Sequence, residues 1–315
     1  MDMGEFNPIA RELAEATDSL GRALGVKSLI ISTPDKTFEQ AFLGESEPSD
    51  VRSISKVAVS LAIGAAMADG IEVRGERLSL ETKIWPLFEG RVEYDTESLP
   101  KLRELRLRHL MSNSMGHAEG LMFRADAQAQ DQDKLLDYIF LTPIEFLPGE
   151  HFSYSNAGWY LISAIVREHL ELSLSTFVGK YLFDPLNIQD FSWKRYGKYE
   201  VGGSGLALYN RDLHKLGQLF RTYGAVGGRQ IIPPDWLDTI RTPVMYVSEG
   251  QDPKRTLQYV AYGYGVWIAG NGIYYCDGAA GQYLIRVPDR DLVISTVGDV
   301  AEMNPITAIL RELIE

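Results

Sequence analysis

Over residues 8–24 apolar side chains fall at Ile9, Leu13, Ala16, Leu20 and Leu24, a spacing that predicts an amphipathic helix closed by Gly25. Residues 27–32 are then largely β-branched and apolar, Thr33-Pro34-Asp35-Lys36 has turn chemistry, and residues 37–43 can return as a second strand, so a hairpin follows. After Arg52 the pattern changes. Small and apolar residues succeed one another almost without a break to Gly70, which suits a helix packed on most of its sides, with the glycine as its stop. From Gly70 to about Pro243 a helical period recurs at 105–111, 131–141, 158–170 and 210–223, separated by long loops of the kind that line sites in compact proteins. Beyond residue 258 the character is that of strands, at 263–269, 272–276, 282–287 and 291–296, with turns at Asn271-Gly272 and Pro288-Asp289-Arg290. A last helix, 305–314, puts Ile306, Ile309, Leu310 and Leu313 on one face.

Strands at both ends and helices between them predict an α+β fold, with one antiparallel sheet built from the N- and C-terminal segments, flanked by helices, plus an inserted helical lobe. The expected division is 1–69 with 250–315 for the sheet lobe and 70–249 for the helical lobe.

Composition narrows the partners. The chain of 315 residues is 45% hydrophobic and 23% charged, as in a folded globular protein with a sizeable core. Its net charge of −12, with Lys and Arg scattered, argues against nucleic acid as a partner. The acidic stretch from Met1 to Pro8 lacks the basic and apolar regions of a secretory signal, and the longest apolar run is broken by Ser60 and Gly64. A cytoplasmic protein without a membrane span is expected. Cys276 is the single cysteine, and the five histidines show no H-E-x-x-H or similar spacing, so neither a disulfide nor a metal or other cofactor is expected.

Three stretches carry candidate chemistry. Ser53 and Lys56, at the start of the apolar helix, lie on one helical face at about 5–6 Å between Cβ atoms. A lysine whose pKa is lowered by burial can serve as base, and a serine at a helix N-terminus has free N–H groups beside it. A second S-x-x-K, Ser98 to Lys101, contains Pro100 and reads as helix-start chemistry. In Tyr154-Ser155-Asn156, before the helix at 158–170, a phenol can pass a proton and an amide can orient an acyl group; the alternative is a buried Tyr and a capping Asn. In Cys276-Asp277-Gly278-Ala279 the glycine permits close approach, so an inward N–H here can serve as an oxyanion donor; the alternative is a bulge or tight turn.

Taken in order these stretches resemble the penicillin-recognising serine hydrolases, in the branch of class C β-lactamases, esterases, 6-aminohexanoate-oligomer hydrolases and transacylases. The resemblance spans nearly the whole chain: Ser53-Ile54-Ser55-Lys56, then Leu107-Arg108-His109-Leu110-Met111-Ser112-Asn113-Ser114-Met115-Gly116, Pro148-Gly149 leading to Tyr154-Ser155-Asn156, Asp184-Pro185-Leu186, Gly202-Gly203-Ser204-Gly205-Leu206 with Asp212-Leu213, and the strand from Gly278 to Pro288. It implies a β-lactamase/transpeptidase-like fold, with the active site between lobes. Ser53 is then the acylated nucleophile, with Lys56 and Tyr154 sharing the proton work. The resemblance further implies that Asn156 contacts the acyl group, and that the backbone N–H groups of Ser53 and Ala279 form the oxyanion hole.

Where lactamases and D,D-peptidases of the family carry K-T-G, this chain has Cys276-Asp277-Gly278. The cation that would hold a substrate carboxylate is missing and Asp277 stands nearby, a loss of about 1–3 kcal/mol for a charge-assisted bond. The expected substrate is a small ester or amide without that carboxylate, bordered by Asp277, Gly278 and, if it lines the cleft, His117. The competing expectations are a β-lactamase or D,D-peptidase, and a catalytically silent binding protein on the same fold.

Overall fold

The apolar segments of the two chain ends meet in one sheet in a computed structural model that describes residues 3–247 and 257–314. The predicted hairpin is Val26–Ser32 (β1) with Thr37–Ala41 (β2). The later part of the chain supplies Met245–Tyr246 (β3), Ala261–Tyr262 (β4), Trp267–Ile268 (β5), Tyr274–Gly278 (β6), Gln282–Val287 (β7) and Leu292–Gly298 (β8). Their order is β3-β4-β5-β6-β7-β8-β1-β2, and every neighbouring pair is antiparallel. The N-terminal hairpin therefore docks on the last strand, as the α+β reading requires.

Alternation along the strands separates two faces. Leu29, Ile31, Tyr275, Tyr283, Ile285 and Ile294 enter a core shared with Ile9 and Leu13 of Asn7–Glu15 (α1) and with Ile306 of the helix Asn304–Ile309. Tyr274, Cys276, Leu284, Val293 and Val297 enter the other core, which continues without interruption through Ser55–Ala68 (α2) into the helical middle of the chain. Every residue of α2 from Ser55 to Gly64 is buried, which is what its nearly unbroken apolar composition requires.

Gly64 has a packing cause. A Cβ there would lie 2.0 Å from Cδ1 of Trp236, whose indole Nε1–H donates to the Ser60 carbonyl at 3.0 Å. The substitution Gly64→Ala is expected to lower stability by about 1–3 kcal/mol through overpacking, although alanine is the better helix former. An unshifted denaturant midpoint would overturn this account.

The elements depart from expectation in three places. The first helix ends at Glu15, because the Asp18 carboxylate accepts the N–H groups of Leu20 and Arg22, both at 2.9 Å, and so builds a local turn that competes with the helix. Of the strand expected at 263–269 only Trp267–Ile268 (β5) forms, because its first residues make the tight turn from β4, in which Gly263 N–H donates to Val266 O at 3.0 Å and Gly265 has φ 98°. The last helix breaks into Asn304–Ile309 and Arg311–Ile314. The middle of the chain also contains short strands, among them Leu206–Leu208, which pairs with Ser49–Asp50 immediately before the Ser53 segment.

Candidate active site

The nucleophile candidate sits on a bent, fastened turn. Asp50 Oδ1 accepts the Arg52 N–H at 2.8 Å, Val51 N–H donates to Leu206 O at 2.8 Å, and Arg52 adopts φ 54°. A left-handed non-glycine residue costs on the order of 1–2 kcal/mol, and here it swings the chain from the small sheet into the single turn Arg52–Ile54 that leads directly into α2. Ser55 locks the bend from inside: its hydroxyl donates to Arg52 O at 2.6 Å and accepts the Leu206 N–H at 3.2 Å. Ser53 stands half-buried on this turn, at a position whose N–H has no partner within the helix.

Lys56 is 1% exposed and its ammonium nitrogen meets three acceptors: Asn156 Oδ1 at 2.7 Å, Gly203 O at 2.7 Å and Ser53 Oγ at 3.4 Å. It also lies 4.8 Å from the centre of the Tyr154 ring. Burial pushes its pKa down to about 7, against the opposing pull of Asp277 and Cys276. The two short contacts occupy two N–H groups. The third position, toward Ser53, accommodates an N–H in the ammonium or the lone pair in the neutral amine.

The helix Ala157–His169 (α3) delivers the opposite wall. Ser155 takes the capping work at its start, accepting the N–H groups of Ala157 at 3.1 Å and Leu121 at 3.0 Å. Asn156, though at the cap position, makes no capping bond and is free to reach Lys56 with Oδ1 and to donate from Nδ2 to Met122 O at 3.1 Å. Each end of its amide thus makes one bond to protein, and Oδ1 holds the lysine. Tyr154 lies over Trp267 of β5 with ring centres 5.2 Å apart and planes at 19°, and meets Tyr262 of β4 edge-on at 5.9 Å.

Strand β6 closes the third side. A Cβ on Gly278 would stand 2.8 Å from Arg52 Cβ and 2.9 Å from Val51 O, so only glycine lets the strand lie against the Ser53 turn. The next residue, Ala279, is exposed in the turn that leads to β7. That turn is braced by Gln282, which accepts the Ala280 N–H at 3.0 Å and donates to Gly298 O at 2.7 Å. Asp277 is half-buried and accepts the Trp267 indole N–H at 3.0 Å. Cys276 points into the core, its thiol donating to Gly265 O at 3.5 Å and its pKa driven up by burial.

The structure thus gathers Ser53, Lys56, Tyr154, Asn156, Asp277 and Gly278, with Ala279 following in the turn. His117 joins none of the contacts above; it is buried, and burial lowers its pKa to about 4 against the opposing effect of the Ile139 and Thr142 backbone. The second S-x-x-K is a tether, since Ser98 Oγ accepts the Ile144 N–H at 2.8 Å and Lys101 donates to Ile144 O at 2.6 Å. Two contributors lie outside the expected residue roles, the Gly203 carbonyl and the Trp267 indole. Among the described residues no group of three or more His, Cys, Asp or Glu could hold a metal ion, and no helix is long and apolar enough to cross a membrane.

A serine and a tyrosine gathered around one buried lysine, beside an antiparallel sheet, suit a serine hydrolase. Residues 39–299 match the family model described as Beta-lactamase. Among solved structures, EstCE1, described as a hydrolase with promiscuous acyltransferase activity, is similar at 14% identity with a TM-score of 0.75, covering 99% of both chains. The D-amino acid amidase of Ochrobactrum anthropi SV3 is similar at 14% identity and a TM-score of 0.70, over 98% of this chain and 97% of that one. An octameric penicillin-binding protein homologue from Pyrococcus abyssi is similar at 17% identity and a TM-score of 0.70, over 99% of this chain and 78% of that one. The chain belongs to the beta-lactamase family, with the β-lactamase/transpeptidase-like fold, and is an enzyme of the serine-hydrolase type.

Proposed function

We propose that the chain cleaves a small ester or amide through an acyl-enzyme on Ser53, which it passes to water or to another alcohol or amine. The observation that carries this reading is the triple contact of Lys56 with Asn156 Oδ1, Gly203 O and Ser53 Oγ. In the neutral amine both hydrogens are committed to the two short acceptors, so the lone pair faces the serine hydroxyl and takes its proton as Oγ attacks the substrate carbonyl. The resulting ammonium has all three hydrogens accepted. The N–H groups of Ser53 and Ala279 receive the oxyanion. Tyr154, beside the ammonium, hands a proton to the leaving oxygen or nitrogen as the tetrahedral intermediate collapses. The acceptor then attacks the acyl carbon by the reverse sequence and frees Ser53.

Asp277 directs the choice of substrate. A carboxylate on this strand disfavours ligands with an anion at that edge, which sets neutral esters and amides above penicillins. EstCE1 and the D-amino acid amidase, by their printed descriptions a hydrolase with acyltransferase activity and an amidase, fit that range of substrates. The test is intact-mass analysis after a fluorophosphonate probe, followed by peptide mapping. One adduct on Ser53 is expected; no adduct, or one on another serine, would overturn the assignment. Nitrocefin serves as the counter-probe, and turnover of it at rates matching a neutral aryl ester would restore the β-lactamase reading.

A further inference from the structure

Trp267 is enclosed in a way that core packing alone does not call for. Its ring is stacked with two others, Tyr154 at 5.2 Å and 19° and Tyr259 at 4.3 Å and 30°, while Phe152 and Tyr262 meet it at steep angles. The one polar atom of that ring is spent on the Asp277 carboxylate at 3.0 Å. One side chain therefore touches both the phenol opposite Lys56 and the carboxylate nearest to it. Offset stacking fixes the plane of Tyr154, and an indole donor on a half-buried carboxylate fixes where its charge sits.

We propose that Trp267 is a positioning residue for the acyl transfer, holding the Tyr154 ring at the Ser53–Lys56 pair and pinning Asp277 within electrostatic reach of Lys56. The assignment rests on the acyl-enzyme reading above. Among the described residues the titratable groups facing Lys56 are Tyr154 from the loop before α3 and Cys276 and Asp277 from β6; the Asn156 amide and the Gly203 carbonyl do not titrate. Of these, Asp277 is the one that Trp267 can release without disturbing the backbone. Without the indole N–H the Asp277 carboxylate is held less closely, its support of the ammonium weakens, and the amine becomes neutral at lower pH.

The substitution Trp267→Phe keeps an aromatic ring for the stack and deletes the N–H donor. The readout is the pH midpoint of Ser53 acylation by a neutral aryl ester, followed in single turnovers. Trp267→Phe and Asp277→Asn are each expected to move that midpoint down by about 0.5–1 unit. The double variant is expected to match Asp277→Asn alone, because the tryptophan acts on the lysine through the carboxylate. Trp267→Leu, which removes the stack as well, is expected to lower the plateau rate a further 10-fold or more. Tyr259→Leu, which removes the other ring stacked with Trp267, should leave the plateau within about 3-fold, and so separates loss of packing from loss of Tyr154 placement. An unmoved midpoint in Trp267→Phe, additive shifts in the double variant, or equal plateau losses in Trp267→Leu and Tyr259→Leu would overturn the assignment. Failure of the wild-type chain to acylate Ser53 would instead remove the reading beneath it.

Discussion

Replacing Lys56 with methionine is expected to slow acylation of Ser53 by a factor on the order of 10³, the range over which a positioned general base acts. Methionine is apolar and of similar reach, so the buried channel between Asn156 and Gly203 stays filled and only the amine is lost. In the wild-type chain the acylation rate should climb with pH through a midpoint near 7, since desolvation holds the Lys56 pKa at about 7 and the neutral amine is the active form. A flat profile from pH 6 to 9 would assign the base elsewhere. The same group leaves a signature in stability. The folded-state pKa lies below the unfolded value, so between about 7 and 10.5 the unfolded chain binds the extra proton and wild-type stability gains about 1.4 kcal/mol per pH unit from this site. The difference in melting temperature between wild type and Lys56→Met should therefore move in favour of wild type as pH rises through that window. A difference that stays flat across that window would mean that Lys56 keeps its proton in the fold up to the ordinary lysine range.

Much of this site is legible in the sequence, because its chemistry is local. The Ser53 and Lys56 pair is defined by helical spacing, and the burial that makes the lysine a base is announced by the apolar run after it. Tyr154 and Asn156 precede a helix with its own clear period, and Gly278 marks the close approach that the Ser53 turn needs. What was not legible depends on long-range placement of groups without a sequence signature. The acceptor at Gly203 is a backbone carbonyl, which every residue possesses, brought to Lys56 across 147 positions of chain. That Asn156 holds Lys56 through Oδ1 and Met122 O through Nδ2 depends on the positions of those two residues, which the tripeptide itself does not announce. His117 follows a glycine turn, and nothing in that local pattern announces that the side chain is buried. The same limit governs the fold: the apolar spacing of residues 8–24 continues past Glu15, yet the Asp18 carboxylate captures two N–H groups and ends the helix.

The carbonyl at Gly203 also supplies the second large effect. A Cβ at this position would lie 2.6 Å from Asn156 Oδ1 and 3.2 Å from Trp159 Cβ, and Trp159 is fully buried on α3, so the side that yields is the asparagine amide. Gly203→Ala is accordingly expected to drive Oδ1 off Lys56 and to cost about 10²-fold in acylation rate, the loss associated with displacement of a catalytic group by about 1 Å. Overpacking should take about 1–3 kcal/mol of stability with it. Asn156→Ala removes the same acceptor without the clash, so its rate should fall comparably. Because both changes act through one contact, the double variant should fall no further than the slower single variant when rates are compared well above pH 7. Additive losses would show that Gly203 serves the site by a route other than the asparagine. An undiminished rate in Gly203→Ala would mean that Lys56 needs only one of its two short acceptors to remain aimed at Ser53.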